Sequence, residues 1–189
     1  MNQEGLASLR EGLLAKAKGI TLEIGCGTGA NLAFFPPRVS SVAAIDPNPG
    51  MMPLARSHQH SHGVPINWIL ASVEELPFLP GTFDTLVSTL TLCSVPSLPE
   101  ALAELLRVLK PGGQFLFLEH GQSPDKGVRR WQDGLTPLWK CLGDGCHLNR
   151  PMAQILEANS WKLTTLNSYY FSGVPRPFGF FYQGVAVKS

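Results

Sequence analysis

The chain has 189 residues, 44% of them apolar and 15% charged, with a formal net charge of +1. That size suits a single domain with one well-buried core, spanning 1–189 with residues 1–19 as an N-terminal helical cap. Scattered Lys and Arg on a near-neutral chain give no electrostatic reason to expect nucleic acid, and no run approaches the ~18 consecutive apolar residues of a transmembrane helix. Cys26, Cys93, Cys141 and Cys146 show neither C-x-x-C nor zinc spacing, so no metal site is expected. With no signal peptide, they read as reduced thiols in the cytoplasm.

Leu6, Leu9, Leu13, Leu14 and Ala17 recur at helical spacing and predict a one-face helix packed on the domain. Its polar face has few basic residues, so peripheral membrane contact is the less favoured use of that face. Thr21 to Ile24 forms a short apolar strand that runs into Gly25-Cys26-Gly27-Thr28-Gly29. A strand, a glycine loop and then a helix bring bare backbone to a ligand, because glycine tolerates positive φ and carries no Cβ. The helix start behind the loop would add free N–H groups. Val42 to Asp46 reads as a second strand, interrupted by Pro47-Asn48-Pro49, with a helix over Met51 to His60. Ile66 to Leu70 and Thr85 to Ser88 read as strands three and four, the latter entered through Gly81-Thr82-Phe83-Asp84. Glu100 to Leu109 places Leu102, Leu105, Leu106 and Leu109 inward on a helix that Lys110-Pro111-Gly112-Gly113 stops. Gln114 to Glu119 is strand five, and Leu163 to Ser168 with Tyr182 to Val187 forms an antiparallel hairpin bearing the insert Tyr169 to Phe181. The fold class is therefore α/β: one Rossmann-like, doubly wound sheet, mostly parallel, closed by an antiparallel C-terminal edge hairpin.

Glu23 discriminates between ligands. An acid two positions before the first glycine repels a diphosphate but suits an ammonium group, such as the methionine end of S-adenosyl-L-methionine. A nicotinamide dinucleotide is the competing reading, because Gly25, Gly27 and Ala30 satisfy G-x-G-x-x-G/A and Asp46 follows where a ribose-binding acid would. The antiparallel edge hairpin argues against it.

Glu23-Ile24-Gly25-Cys26-Gly27-Thr28-Gly29, Ile45-Asp46, Leu76-Pro77-Phe78 with Phe83-Asp84, and Arg107-Val108-Leu109-Lys110-Pro111-Gly112-Gly113 occur in that order. Over nearly its whole length the chain resembles a class I S-adenosylmethionine-dependent methyltransferase. Leu92-Cys93-Ser94-Val95, Glu119-His120, Asp144-Gly145-Cys146-His147-Leu148-Asn149-Arg150 and the closing Gly184-Val185-Ala186-Val187-Lys188 are similar to the microsomal alkyl thiol methyltransferases of the methyltransferase-like family. Members of that family carry an N-terminal hydrophobic membrane anchor, which has no counterpart in this sequence.

The resemblance implies S-adenosyl-L-methionine as donor and S-adenosyl-L-homocysteine as product. It places Glu23 at the methionine ammonium, Gly25 and Gly27 against methionine and ribose, and Asp46 at both ribose hydroxyls. Met51 is expected on the adenine. Gly29, Asn31, Pro47, Glu74 and Thr89 complete the cofactor set. The Asp that often follows strand three is replaced by Ala71-Ser72-Val73-Glu74, so Ser72 and the Val73 backbone are expected at the adenine edge.

Methyl transfer from a sulfonium is a direct displacement of an activated group, so alignment and exclusion of water carry much of it. The topological rule for open sheets puts the pocket beyond the carboxyl ends of the strands. Segments Thr89 to Ser94, Glu119-His120 and Asp144 to Arg150 are expected to converge there. Phe34, Phe35, Trp131, Trp139, Phe171, Phe178 and Phe180 supply an aromatic surplus for its walls, which suits a small apolar acceptor, by resemblance a thiol. His120 is the first candidate for a base or orienting group, with Asp144 and His147 next. Cys93 and Cys146 read as small buried residues. Three alternatives stay open: methylation of carbon, nitrogen or oxygen on a lipid, quinone or secondary metabolite; a donor-binding pseudoenzyme; and a nicotinamide oxidoreductase.

Overall fold

The computed structural model describes residues 3–57 and 63–188. Helix α1 (Gln3–Leu14) leads into β1 (Gly19–Ile24), a 3-10 turn (Leu32–Phe34), β2 (Val39–Asp46), α2 (Met51–Ser57) and β3 (Ile66–Leu70). Strand β4 (Phe83–Thr89), α3 (Leu98–Val108) and β5 (Leu109–His120) follow. Helices α4 (Lys126–Leu142) and α5 (Met152–Ala158), β6 (Trp161–Tyr170), a 3-10 turn (Arg176–Phe178) and β7 (Phe180–Lys188) complete the chain.

The seven strands form one sheet in the order β3-β2-β1-β4-β5-β7-β6. The first five are parallel, whereas β7 runs antiparallel to both β5 and β6. Side chains alternate between faces with period two, and each face has its own core. Ile45, Leu86, Phe115 and Phe117 point to one side, where they meet Leu102 and Leu105 of α3 and Leu156 of α5. Val42, Val87, Leu116 and Leu118 point to the other, under Leu6, Leu13 and Leu14 of α1. The α/β sheet with its antiparallel edge hairpin is therefore as the sequence implied.

Two local expectations differ. The glycine loop opens not into an α-helix but into turns and the Leu32–Phe34 3-10 segment. Pro36 and Pro37 follow Phe35, which adopts the extended conformation that a residue before proline prefers, so a helix started here has no room to grow. Lys110-Pro111-Gly112-Gly113 does not separate helix from strand. Leu109 already pairs with Phe83 and Gln114 with Thr85, so the four residues loop out of one continuous ladder as a bulge. The helix read over Met51 to His60 is seen as Met51–Ser57, and its last part lies outside the described residues.

Candidate active site

Strand β1 has β2 on one side and β4 on the other, which makes its carboxyl end the switch point where open α/β sheets bind ligands. A cleft of about 570 Å³ lies there. It is built from Ile24, Gly25 and Gly27 after β1, Asp46, Pro47, Asn48 and Met51 after β2, and Ala71, Ser72, Val73 and Glu74 after β3. Leu90, Thr91, Ser94, Val95 and Pro96 after β4, with Asp144 and Gly145 beyond α4, close the opposite wall.

The glycine loop does what its residue types allow. Gly25 takes φ 62°, and a Cβ there would run into the Thr91 side chain. Gly27 takes φ 51°, and its missing Cβ would meet nothing within 4 Å, which leaves backbone open to the cleft. Asp46 holds this arrangement: one carboxylate oxygen accepts from the Gly27 N–H at 2.8 Å and the other from the Asn48 N–H at 2.9 Å. Each oxygen keeps a lone pair for a further donor.

Glu23 lies behind the loop, 2% exposed, with Oε2 lacking any partner. Burial pushes its carboxyl up to about 8, against the opposing pull of Asn31 and Arg10 and with a further push from Asp46. Asn31, also buried, donates to Thr89 Oγ1 at 3.0 Å and leaves its own Oδ1 unpartnered. Arg10 of α1 completes the group. Its Nε is buried without a partner, and burial lowers its pKa while Glu23 raises it. Glu23 Oε2 and Arg10 Nε are both buried without a partner, and each group feels the other's charge, so the two would offer an acceptor and a donor to a ligand carrying an ammonium and a carboxylate. The donor set therefore fits the methionine end of S-adenosyl-L-methionine, and Asp46 fits the ribose diol.

Of the residues expected from sequence, Gly25, Gly27, Asp46, Pro47, Met51, Ser72, Val73, Glu74 and Asp144 line the cleft. Glu23, Gly29, Asn31, Thr89, His120 and His147 do not. Gly29 instead makes room for Leu32 and Ala55. The Ser72 hydroxyl donates to Glu74, whose other oxygen accepts from the Ser97 N–H at 3.3 Å. Asp144 is exposed at the mouth with φ 51°. His147 is committed to the loop opposite: its N–H bonds the Cys93 carbonyl at 2.8 Å and its Nδ1 lies 3.2 Å from the same oxygen.

His120 is 5% exposed, with Nδ1 3.9 Å from Cys146 Sγ, its ring edge-on to Phe181, and Nε2 without a partner. Cys93 and His120 draw the Cys146 thiol down, while Cys146 and burial push Cys93 up.

Of the three segments expected at the cleft, the first supplies Leu90, Thr91 and Ser94 and the third Asp144 and Gly145, whereas Glu119 and His120 lie outside it; Glu119 braces the loop after β4 from behind. Fully buried, it accepts from Ser88 Oγ at 2.6 Å and from the Thr91 and Cys93 N–H groups at 3.2 Å each. Arg150 pins the same loop from outside through the Leu92 and Val95 carbonyls. None of the aromatic rings expected in the walls is there. Phe35 is in the core under α1, Trp139 packs on Phe178 at 4.6 Å, and Trp131 faces solvent, so the apolar part of the walls is aliphatic. Sequence reasoning missed Arg10, whose charge acts on Glu23 13 positions away, whereas Leu90, held at φ 58° in the cleft wall, lies in the Thr89 to Ser94 segment expected there.

Residues 22–117 match the methyltransferase domain family. The chain belongs to this family of S-adenosylmethionine-dependent enzymes. It is 44% identical over 140 residues to the thiol S-methyltransferase TMT1B of Rattus norvegicus, a match covering 72% of this chain and 57% of that one. To the TMT1B of Homo sapiens it is 38% identical over 164 residues, covering 80% and 67%. The chain thus spans little more than half of the rat relative. A solved structure of a geranyl diphosphate methyltransferase in complex with S-adenosylmethionine superposes with a TM-score of 0.76 at 15% identity, covering 98% of this chain and 85% of that one. At that identity the likeness speaks for the fold.

Proposed function

We propose that this chain transfers a methyl group from S-adenosyl-L-methionine to the sulfur of a small apolar thiol. The observation that carries the donor half is the two buried, unpartnered atoms Glu23 Oε2 and Arg10 Nε, whose groups feel each other's charge, with Asp46 also acting on Glu23. Glu23 takes the ammonium, Arg10 the carboxylate, and Asp46 the ribose hydroxyls, with Gly25 and Gly27 letting the backbone approach. Met51 packs on the adenine, and Ser72, Val73 and Glu74 present its hydrogen-bonding edge. When bound, the donor supplies an activated methyl on a sulfonium and leaves as S-adenosyl-L-homocysteine.

The acceptor half rests on the thiol S-methyltransferase relatives and on the aliphatic wall of Leu90, Val95 and Pro96. A thiol of ordinary pKa near ~8.5 is partly ionised at neutral pH, so the protein's part is to orient it and exclude water. In this reading Asp144 meets the acceptor at the mouth. His120 positions the Gly145-Cys146 wall from behind, and His147 holds the wall to the Cys93 loop. The cytoplasm is the proposed compartment, supported by four unpaired cysteines.

Isothermal titration with S-adenosylmethionine, S-adenosylhomocysteine and a reduced nicotinamide dinucleotide tests the donor site. The first two bind and the third does not; nicotinamide binding alone would overturn the assignment. Asp46→Ala weakens donor binding by about 1–3 kcal/mol, the cost of leaving buried polar groups unpaired.

A further inference from the structure

Two of the four cysteines sit together where the two segments of the cleft's opposite wall meet. Neither is needed for methyl transfer, which forms no bond to the enzyme. Cys93 lies in the loop after β4 and Cys146 in the segment after α4, and both are free. The two thiols hydrogen-bond one another. Their backbones are joined as well, since the His147 N–H bonds the Cys93 carbonyl at 2.8 Å. Gly145 lies against the Ser94 carbonyl, where a Cβ would come within 3.1 Å. Backbones paired in this way run about 4.5–5.5 Å apart, inside the ~4.4–6.8 Å between α-carbons that a disulfide spans.

The surroundings make the two sulfurs unequal. Cys93 is 2% exposed, and its contact with Cys146, its burial and the neighbouring Glu119 carboxylate all keep it protonated. Cys146 is half-buried and holds negative charge better. The Cys93 thiol donates to it, His120 Nδ1 lies 3.9 Å from its sulfur, and the Trp139 indole N–H donates to it. The Arg150 guanidinium attracts charge on either sulfur. Together the Cys93, His120 and Trp139 contacts draw the Cys146 thiol down against the opposing push of burial. A half-exposed thiolate beside a buried thiol is the arrangement of an attacking and a resolving cysteine.

We propose that Cys146 and Cys93 form a peroxide-responsive dithiol that closes into a disulfide between the two segments of the cleft's opposite wall. The Cys146 thiolate attacks one oxygen of a hydroperoxide and the O–O bond breaks. The departing oxide takes a proton and leaves as water or alcohol, and Cys146 becomes a sulfenic acid. The Cys93 sulfur then attacks the Cys146 sulfur, the S–O bond breaks, and the Cys93 proton leaves with the hydroxide as water. Two thiols have lost two protons and two electrons, and the peroxide has accepted them. The bridge ties the loop 90–96 to Asp144 and Gly145, so the wall they build gains a covalent fastening. In a reducing compartment such a disulfide is transient, as redox-sensing ones are. Its formation needs no methyl transfer and stands apart from the reading of donor and acceptor.

The test is mass mapping of the full chain after treatment with hydrogen peroxide. A loss of two hydrogens that dithiothreitol reverses is expected, with the linkage mapped to Cys93 and Cys146. Cys141→Ser, which removes the exposed thiol, should oxidise in the same way. In Cys93→Ser the sulfenic acid has no resolving partner, so dimedone should label Cys146 roughly fivefold or more above the parent. A melting temperature within a few degrees of the parent shows that this variant is folded, and the linkage in the parent decides the matter if it is not. Iodoacetamide at pH 6 should modify Cys146 faster than Cys141, although Cys141 is the more exposed. The reverse order overturns the proposal. So does peroxide that leaves both thiols intact, a disulfide through Cys26 or Cys141 instead, or Cys146 driven to sulfinic acid with Cys93 still a thiol.

Discussion

Glu23 is the residue on which the donor reading turns, and its burial makes a pH prediction. Folding raises its carboxyl from 4.5 to about 8, so the ligand-free protein binds a proton that the unfolded chain releases. The stability linked to this proton is fully present below about pH 4.5 and is lost as pH rises through about 8. Donor binding has the opposite slope, because an ammonium ligand calls for the carboxylate. Affinity should rise from pH 6 towards 8, with close to one proton released per donor bound at pH 6.5. Titrations in buffers of different ionisation enthalpy measure that release directly. Glu23→Gln should weaken binding at least tenfold and flatten the slope; an unchanged slope would mean that Glu23 is not the ammonium ligand. The placement of Glu23 and Asp46 at the ends of neighbouring strands was legible in the sequence, because an acid before a glycine loop and another at the end of the next strand are local patterns. Arg10 was not. Its role depends on how α1 lies over the sheet, which no spacing reveals.

At the level of elements, β5 does more than complete the sheet, since its last turn of side chains shapes the loop after β4. Glu119 satisfies Ser88 Oγ and the Thr91 and Cys93 N–H groups from a fully buried position. Glu119→Ala would strand these donors and cost about 3 kcal/mol, a fall in melting temperature of roughly 6–12 °C for a chain of this size. Hydrogen exchange at Thr91 and Cys93 should accelerate with it. A variant that melts at the parental temperature with unaltered exchange would show that Glu119 does not hold the loop. The alternation of apolar residues made β3, β4, β5 and the tail hairpin readable, because a strand's period depends on neighbours two positions apart. Gly184 illustrates the limit. A Cβ there would meet the Thr165 carbonyl and the Phe117 ring, a requirement set by two strands far away in sequence. The helix expected after the glycine loop failed for a reason that was readable, the Pro36-Pro37 pair five residues past Asn31. The aromatic walls failed for one that was not, because only tertiary packing decides which rings reach a cleft.

For the whole molecule, the cleft sits at the carboxyl ends of the parallel strands, with Asp144 and Gly145 after α4 on its far wall. The methyltransferase match over residues 22–117 covers every strand end that lines the cleft, while Asp144 and Gly145 lie beyond it. Donor binding and acceptor choice should accordingly separate on substitution. Leu90→Ala should leave donor affinity within about twofold and lower turnover with apolar thiols, read as kcat/KM against a thiol series of increasing chain length. A donor affinity that falls in step with turnover would place Leu90 in the donor site instead. The most direct test of the account is incubation with S-adenosylmethionine labelled in its methyl group and matched pairs of small apolar thiols, alcohols and amines, with products identified by mass spectrometry. The account predicts label on sulfur, with the alcohols and amines unmodified. Donor binding without label on any thiol, or label on carbon, nitrogen or oxygen alone, would contradict it.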